Sequence, residues 1–358
     1  MLHAILSGDL PRSKVLAAAL IVVLVSLLLA PFLFPTVNAL NVAGKVCIFI
    51  LLAASYDLLL GYTGIVSFAH TMFFGIGAYG VAIAMNRVAP DWGGVLLGGG
   101  IAIALSVALA ALIGLFSLRV RAIFFAMITL AVASAFAILA SQLSTLTGGE
   151  DGLNYRVPEM LRPAFRLVDE PVLGIVLNGR VMAYYLTFVV SLLLFLLLLR
   201  VVNSPFGRVL QAIRENEFRA EAIGYRTVHY RTLANCLAAA VATIAGMLLA
   251  LVLRYTNPDT TLSFAIMMDI LLMVVIGGMG TLYGSVIGAT LFLLAQLYLK
   301  DVFGAASAAT AGVPLLPSLL HPDRWLLWFG LLFIASVYFF PTGIVGRLRS
   351  LAQRYRLL

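Results

Sequence analysis

Ser67 and His70 stand three residues apart between two apolar stretches, where a hydroxyl and an imidazole could act as nucleophile and base. Such a pair needs a third group to orient the ring, and no acid is spaced to supply it, so a polar loop between membrane segments is the better reading. Two carboxylates make stronger demands. Asp57 and Asp269 lie inside apolar runs, where an ionisable side chain costs about 2.5–3.5 kcal/mol to insert. Asp57 precedes Gly61-Tyr62-Thr63-Gly64, and Asp269 precedes Gly277-Gly278-Met279-Gly280. Each acid either hydrogen-bonds to a glycine-rich turn or neighbouring helix, or lies on a pathway, and the spacing leaves both open. Lys45 has a stem long enough to snorkel to headgroups. No other chemistry is spelled out. Gly44-Lys45 is followed by Val46 and makes no phosphate loop. His-Glu-x-x-His, paired-cysteine spacing and Gly-x-Ser-x-Gly are missing from the sequence. The expectation is no enzyme, with no metal or cofactor bound by this chain.

The elements that must position these residues follow from composition. Of 358 residues, 63% are hydrophobic and 11% charged, against about 25% charged in an ordinary soluble domain. Two cysteines exclude a disulfide scaffold, and the hydrophobicity excludes disorder. A helix needs about 20 apolar residues to cross a bilayer. Runs of that kind fall at 15–34, 40–60, 71–86, 93–117, 122–142, 181–201, 232–253, 263–280, 284–299 and 325–341. The third and ninth are short and glycine-interrupted, a pattern that suits segments lining a cavity. The fold class expected is therefore an all-α polytopic bundle, one transmembrane domain over 1–358. With an even number of spans both ends share a side. That side holds the basic clusters at 12–14, 119–121, 200–231 and 347–356, which makes it cytoplasmic. The net charge of +8 is thus a topology signal, and nucleic-acid binding is not needed to explain it.

Two connections are long. The outer one, 143–180, carries the turn-rich run Thr147-Gly148-Gly149-Glu150-Asp151-Gly152. The inner one, 202–231, opens with Ser204-Pro205 and places Val209, Ile213, Ala220 and Ile223 near helical spacing among charges, with Gly224 set like a C-terminal cap. It reads as one or two amphipathic helices on the membrane surface. The clusters Gly61, Gly64, Gly75, Gly77, Gly80 and Gly277, Gly278, Gly280, Gly284, Gly288 suit close helix packing, and a re-entrant turn near 61–70 is the sharper expectation.

Four ordered stretches carry a family likeness: Gly61 to His70 running on to Tyr79, Arg119 to Leu130 with Thr147 to Leu153, Ser204 to Gly224, and Pro258-Asp259 leading into Val274 to Ala289. Over roughly 44–300 the chain resembles the membrane permease subunits of branched-chain amino-acid ABC importers, LivM type. The resemblance implies a multi-pass protein of a bacterial inner membrane. It would pair with a second homologous permease or another copy of itself, with two ATP-binding cassette subunits that hold ATP and Mg, and with a periplasmic binding protein. On that implication Arg208, Arg214, Glu215, Glu217 and Arg219 are polar contacts of a coupling helix, Ile213 and Phe218 its apolar anchors, and Gly224 its end. The candidate pathway or gate comprises Asp57, Gly61, Tyr62, Gly64, Ser67, His70, Asp269, Gly277, Gly278 and Gly280. Gly148, Gly149, Glu150, Asp151 and Gly152 are the candidate outer contact. Urea or a short amide is an alternative cargo. A secondary transporter using Asp57, His70 or Asp269 as proton carriers is the rival class.

Overall fold

A computed structural model describes residues 13–33, 36–117, 122–167, 176–309, 321–339 and 342–354. Its principal helices begin with α1 (Lys14–Leu28), α2 (Val37–Thr63), α3 (His70–Arg87), α4 (Trp92–Ser117), α5 (Ala122–Gln142) and α6 (Gly179–Val202). After the short surface helices α7 (Pro205–Glu215) and α8 (Glu217–Ala222) come α9 (Thr227–Leu253), α10 (Phe264–Gly277), α11 (Leu282–Ala309), α12 (Trp325–Phe339) and α13 (Gly343–Arg354). Among the described residues seven helices are long and apolar enough to cross a membrane, and the all-α polytopic class stands. The runs at 15–34, 71–86 and 325–341 correspond to α1, α3 and α12, which fall outside that seven.

α2 is the axis of the bundle. It is buried without interruption from Leu51 to Thr63, and its neighbours are α9, α6, α11 and α10. A helix apolar all round belongs in such a place. α9 packs along α3, α4 and α2. α4 and α5 keep a broad apolar face outward, with Leu96, Ile101, Phe116, Ile123 and Met127 among the exposed side chains.

The glycine clusters act differently from the expectation of interrupted helices. α3 and α11 are continuous, and the breaks lie just upstream of each, at 64–69 and 278–281. Inside the helices the glycines allow backbones to touch. A Cβ at Gly77 would strike the Thr243 carbonyl, one at Gly246 the Phe74 carbonyl, and one at Gly288 the Met273 carbonyl. The last contact, with Gly277 against the Gly284 carbonyl, closes α10 and α11 into a tight antiparallel hairpin.

The two rims are built from different material. Leu16, Ile287 and Val345 form one cluster, so the starts of α1, α11 and α13 share a rim. α7 and α8 lie at that rim too. Ser204 caps α7 by accepting from Gly207 N at 3.5 Å, Pro205 fills its first turn, and Asn216 caps α8 by accepting from Arg219 N at 3.0 Å. The opposite rim carries the long outer connection. There β1 (Leu153–Asn154) pairs antiparallel with β2 (Tyr255–Thr256). The Tyr155 hydroxyl donates to Ala250 O at 2.9 Å and shares a 2.9 Å bond with Thr256. Asp169, Glu170, Arg119 and Arg121 lie outside the described residues.

Candidate functional site

Three constellations gather the polar residues. The first joins residues far apart in sequence at the α7 rim. Asp57 is fully buried, and its Oδ1 accepts a hydrogen bond from Gly280 N at 2.8 Å. Its Oδ2 is buried and unpartnered. The acid therefore ties α2 to the break between α10 and α11. Gly280 sits at φ +79, a conformation that disfavours a side chain, and a Cβ at Gly61 would overlap both the Asp57 carboxylate and Gly280 N. Arg214 of α7 donates to the Gly61 carbonyl, near the C-terminal end of α2, where a cation suits the helix dipole. One surface helix, the end of the central helix and the hairpin tip are thereby linked through Arg214, Gly61, Asp57 and Gly280. Gly64 caps α2 at φ +73, and Arg214 Cγ would lie 3.2 Å from an added Cβ there. Gly277 and Gly278 belong to the same hairpin, with Gly278 against the Thr342 carbonyl. Tyr62 is buried on α2. Asp269 stands apart from this group, half-buried on α10.

The second constellation is the return of the chain after α2. Residues 64–69 are irregular and lead back along α2, so that His70 Nε2 meets Ser55 Oγ at 2.8 Å. Ser55 lies eight residues before Thr63, roughly 12 Å up the helix at 1.5 Å per residue. α3 thus begins at depth. Ser55 Oγ donates its hydrogen to Leu52 O at 2.8 Å, which assigns His70 Nε2 as the donor and leaves Nδ1 as the buried acceptor without a partner. Ser67 Oγ accepts from Ala69 N at 3.4 Å, and its neighbour Phe68 donates through its backbone to Thr129 of α5 at 3.0 Å. Because Ser55 and not Ser67 engages the imidazole, a Ser67–His70 nucleophile is not assembled. Ser55 and Thr129 carried no sequence signal beyond being hydroxyls in apolar helices.

The third is a cavity of about 460 Å³ toward the rim that carries β1 and β2. It lies between the start of α3 (Phe68, Thr71), one stripe of α5 (Leu130, Ala133, Ser134, Ala137, Ile138, Ser141, Gln142), Glu150 of the outer turn, and Pro258, Asp259, Leu262, Ser263 and Phe264 before and at the start of α10. The α5 residues recur at helical spacing with a small or polar side, a signal that was present in the sequence and not used. The pathway residues expected from the sequence do not line this cavity; only Glu150, expected as an outer contact, does. The other members of that run build its turn. Gly148, Gly149 and Gly152 all have left-handed φ, and a Cβ at Gly148 would meet the Gly152 carbonyl. Asp151 O accepts from the Tyr255 hydroxyl at 2.8 Å. Nearby, burial and the neighbouring Arg180 charge pull the Arg254 guanidinium below its ordinary value.

The residues expected at a partner joint divide. Ile213 is buried against the bundle, so it is a foot of α7 and not an outward anchor. Glu217 is paired with Arg231 at 2.5 Å, and Arg214 turns inward to Gly61. Arg208, Glu215, Arg219 and Gly224 are exposed, and Phe218 is 85% exposed with Ile223 at 73%.

The profile of the family described as branched-chain amino acid transport system permease component matches residues 38–337. The chain belongs to this permease family. Among its relatives, the high-affinity branched-chain amino acid transport system permease protein LivM of Salmonella typhimurium is 26% identical over 343 residues, covering 90% of this chain and 76% of that one. The probable LivM of Methanocaldococcus jannaschii is 27% identical over 293 residues, 76% of this chain and 78% of its own. BraD of Pseudomonas aeruginosa is 26% identical over 344 residues, 88% and 96% respectively. No solved structure matches. The family match takes in all three constellations of this permease, from Asp57 through the α5 stripe to the Gly280 hairpin.

Proposed function

We propose that this chain is the membrane subunit of an ABC importer for branched-chain or similar small amino acids, powered by separate ATPases docked on α7–α8. Family membership supports the class. The observation that carries the mechanism is the Arg214–Gly61–Asp57–Gly280 linkage, which connects a surface helix to the end of the buried central helix and to a break between two others. A partner that pushes α7 displaces the C-terminal end of α2 and the α10–α11 tip together, which is how a small surface movement becomes rearrangement of a packed bundle. ATP and Mg bind the partners on this reading. A second permease, homologous or identical, covers the exposed α4–α5 side, and a periplasmic binding protein meets the outer rim.

Phe218 and Ile223 fit the ATPase joint, since large apolar side chains exposed among charges are the anchors such interfaces use. Co-expression of the importer with Phe218→Ser and Ile223→Ser tests this. ATPase copurification and leucine uptake should fall at least tenfold while membrane insertion of the chain is unchanged. Normal uptake by the double variant would overturn the assignment. A proton-driven transporter would instead accumulate leucine without any ATPase present.

A further inference from the structure

The outer cavity has a chemistry that the coupling linkage does not use. Its floor and walls mix Phe68, Leu130, Ala133, Ile138, Leu262 and Phe264 with hydroxyls, and its volume of about 460 Å³ lies within the usual range for sites that enclose one small molecule. Thr71 is 2% exposed and lines the cavity, yet among the described residues its hydroxyl makes no hydrogen bond. That hydroxyl opens onto the cavity and is not sealed in the core, so it is left to bond to whatever enters. At the mouth stand two carboxylates, Glu150 and Asp259, and neither has an ion pair among the described residues. No arginine, lysine or histidine lines the space.

Both acids are held by built turns. Glu150 follows the left-handed Gly148-Gly149 pair, which is braced by Thr147 Oγ1 accepting from Gly149 N at 3.2 Å. Asp259 sits in the turn Pro258–Thr261, where Asn257 and Thr260 form a reciprocal capping box. The β1–β2 ladder joins the two turns, so their carboxylates are presented to one opening by a single backbone frame.

We propose that this cavity is the chain's stretch of the passage, and that Glu150 and Asp259 make it a cation-favouring vestibule which receives the ammonium end of the cargo and turns away net-anionic solutes. The apolar wall then faces an aliphatic side chain, and the Thr71 hydroxyl is left to meet a polar group of the solute. A cleft lined by charge of one sign concentrates the opposite sign about tenfold or more. This inference rests on the permease reading and has a readout independent of transport.

The test uses the complete importer in proteoliposomes, with Cys47→Ala and Cys236→Ala removing the native thiols and Ser134→Cys placing one in the cavity. Its modification is timed with a trimethylammonium thiosulfonate and a sulfonate thiosulfonate, each rate divided by that of the reagent with a free thiol. The cationic reagent should be favoured about tenfold. The preference should fall below about twofold in Glu150→Gln with Asp259→Asn, and persist in Glu150→Asp with Asp259→Glu, which keeps both charges. Equal normalised rates in the parent, a preference that survives neutralisation, or a thiol inert to both reagents would each overturn the vestibule. Leucine uptake should drop at least fivefold on neutralisation with ATPase activity retained, and unchanged uptake would also count against it. If the parent importer hydrolyses ATP but accumulates no leucine, the branched-chain cargo reading fails, while the labelling ratio still decides the vestibule.

Discussion

Asp57 offers the sharpest test of the linkage, because its two oxygens predict different outcomes for two substitutions. Oδ1 satisfies Gly280 N at 2.8 Å in a fully buried position. Asp57→Ala orphans that N–H, at about 1–3 kcal/mol. By the scaling of large domains this is roughly 4–8 °C in melting temperature for about 2 kcal/mol. Oδ2, in contrast, is buried without a partner. Asp57→Asn keeps an acceptor for Gly280 and exchanges one unpartnered buried atom for another, so its melting temperature should lie nearer the parent's than that of Asp57→Ala. The assay is thermal unfolding of the purified importer in lipid nanodiscs, alongside ATP hydrolysed per leucine transported. Asp57→Ala should raise that ratio severalfold, since the α10–α11 tip is no longer tied to α2, whereas Asp57→Asn should leave it near the parent's value. Equal melting temperatures for Asp57→Ala and the parent, with coupling intact, would refute the reasoning.

Three further outcomes follow from the same geometry. Gly61→Ala places a Cβ against the backbone of Gly280, which cannot yield as a flexible side chain would; assembled importer should fall more than with Asp57→Ala, as measured by size-exclusion yield. Ser55→Ala leaves His70 Nε2–H buried without its acceptor, at about 1–3 kcal/mol. Adding His70→Phe removes the orphaned donor, so the double variant should melt above the single one in nanodiscs. Gly148→Ala forces a side chain into left-handed backbone against the Gly152 carbonyl. Binding-protein-dependent uptake should fall severalfold while unstimulated ATPase activity is unchanged.

The helical class and most spans were legible because a run of apolar residues has one stable home, and its length needs no knowledge of neighbours. The amphipathic stretch after Ser204 was legible for a similar reason, since its caps and spacing are local. The site was legible only in part. Asp57, Gly61, Gly280 and Arg214 were each singled out, but the bond from exposed Arg214 to Gly61 was not foreseen and Asp57 was left between two roles. Across the 223-residue separation of Asp57 and Gly280 no local pattern says which backbone N–H a carboxylate will meet. Ile213 misled for a related reason: an apolar residue on a surface helix can face a partner or its own bundle, and only packing decides.

Composition and periodicity by themselves determined a lipid-embedded bundle with an amphipathic surface stretch and a glycine-built outer turn, because those depend on transfer from water and on backbone conformation. Tertiary structure alone decided that Ser55 and not Ser67 holds His70, that the α10–α11 tip hangs on Asp57, and that Glu150 and Asp259 share one opening. These are meetings between distant segments, fixed by how closely glycine-bearing helices pack and by the two-residue ladder that joins the outer turns.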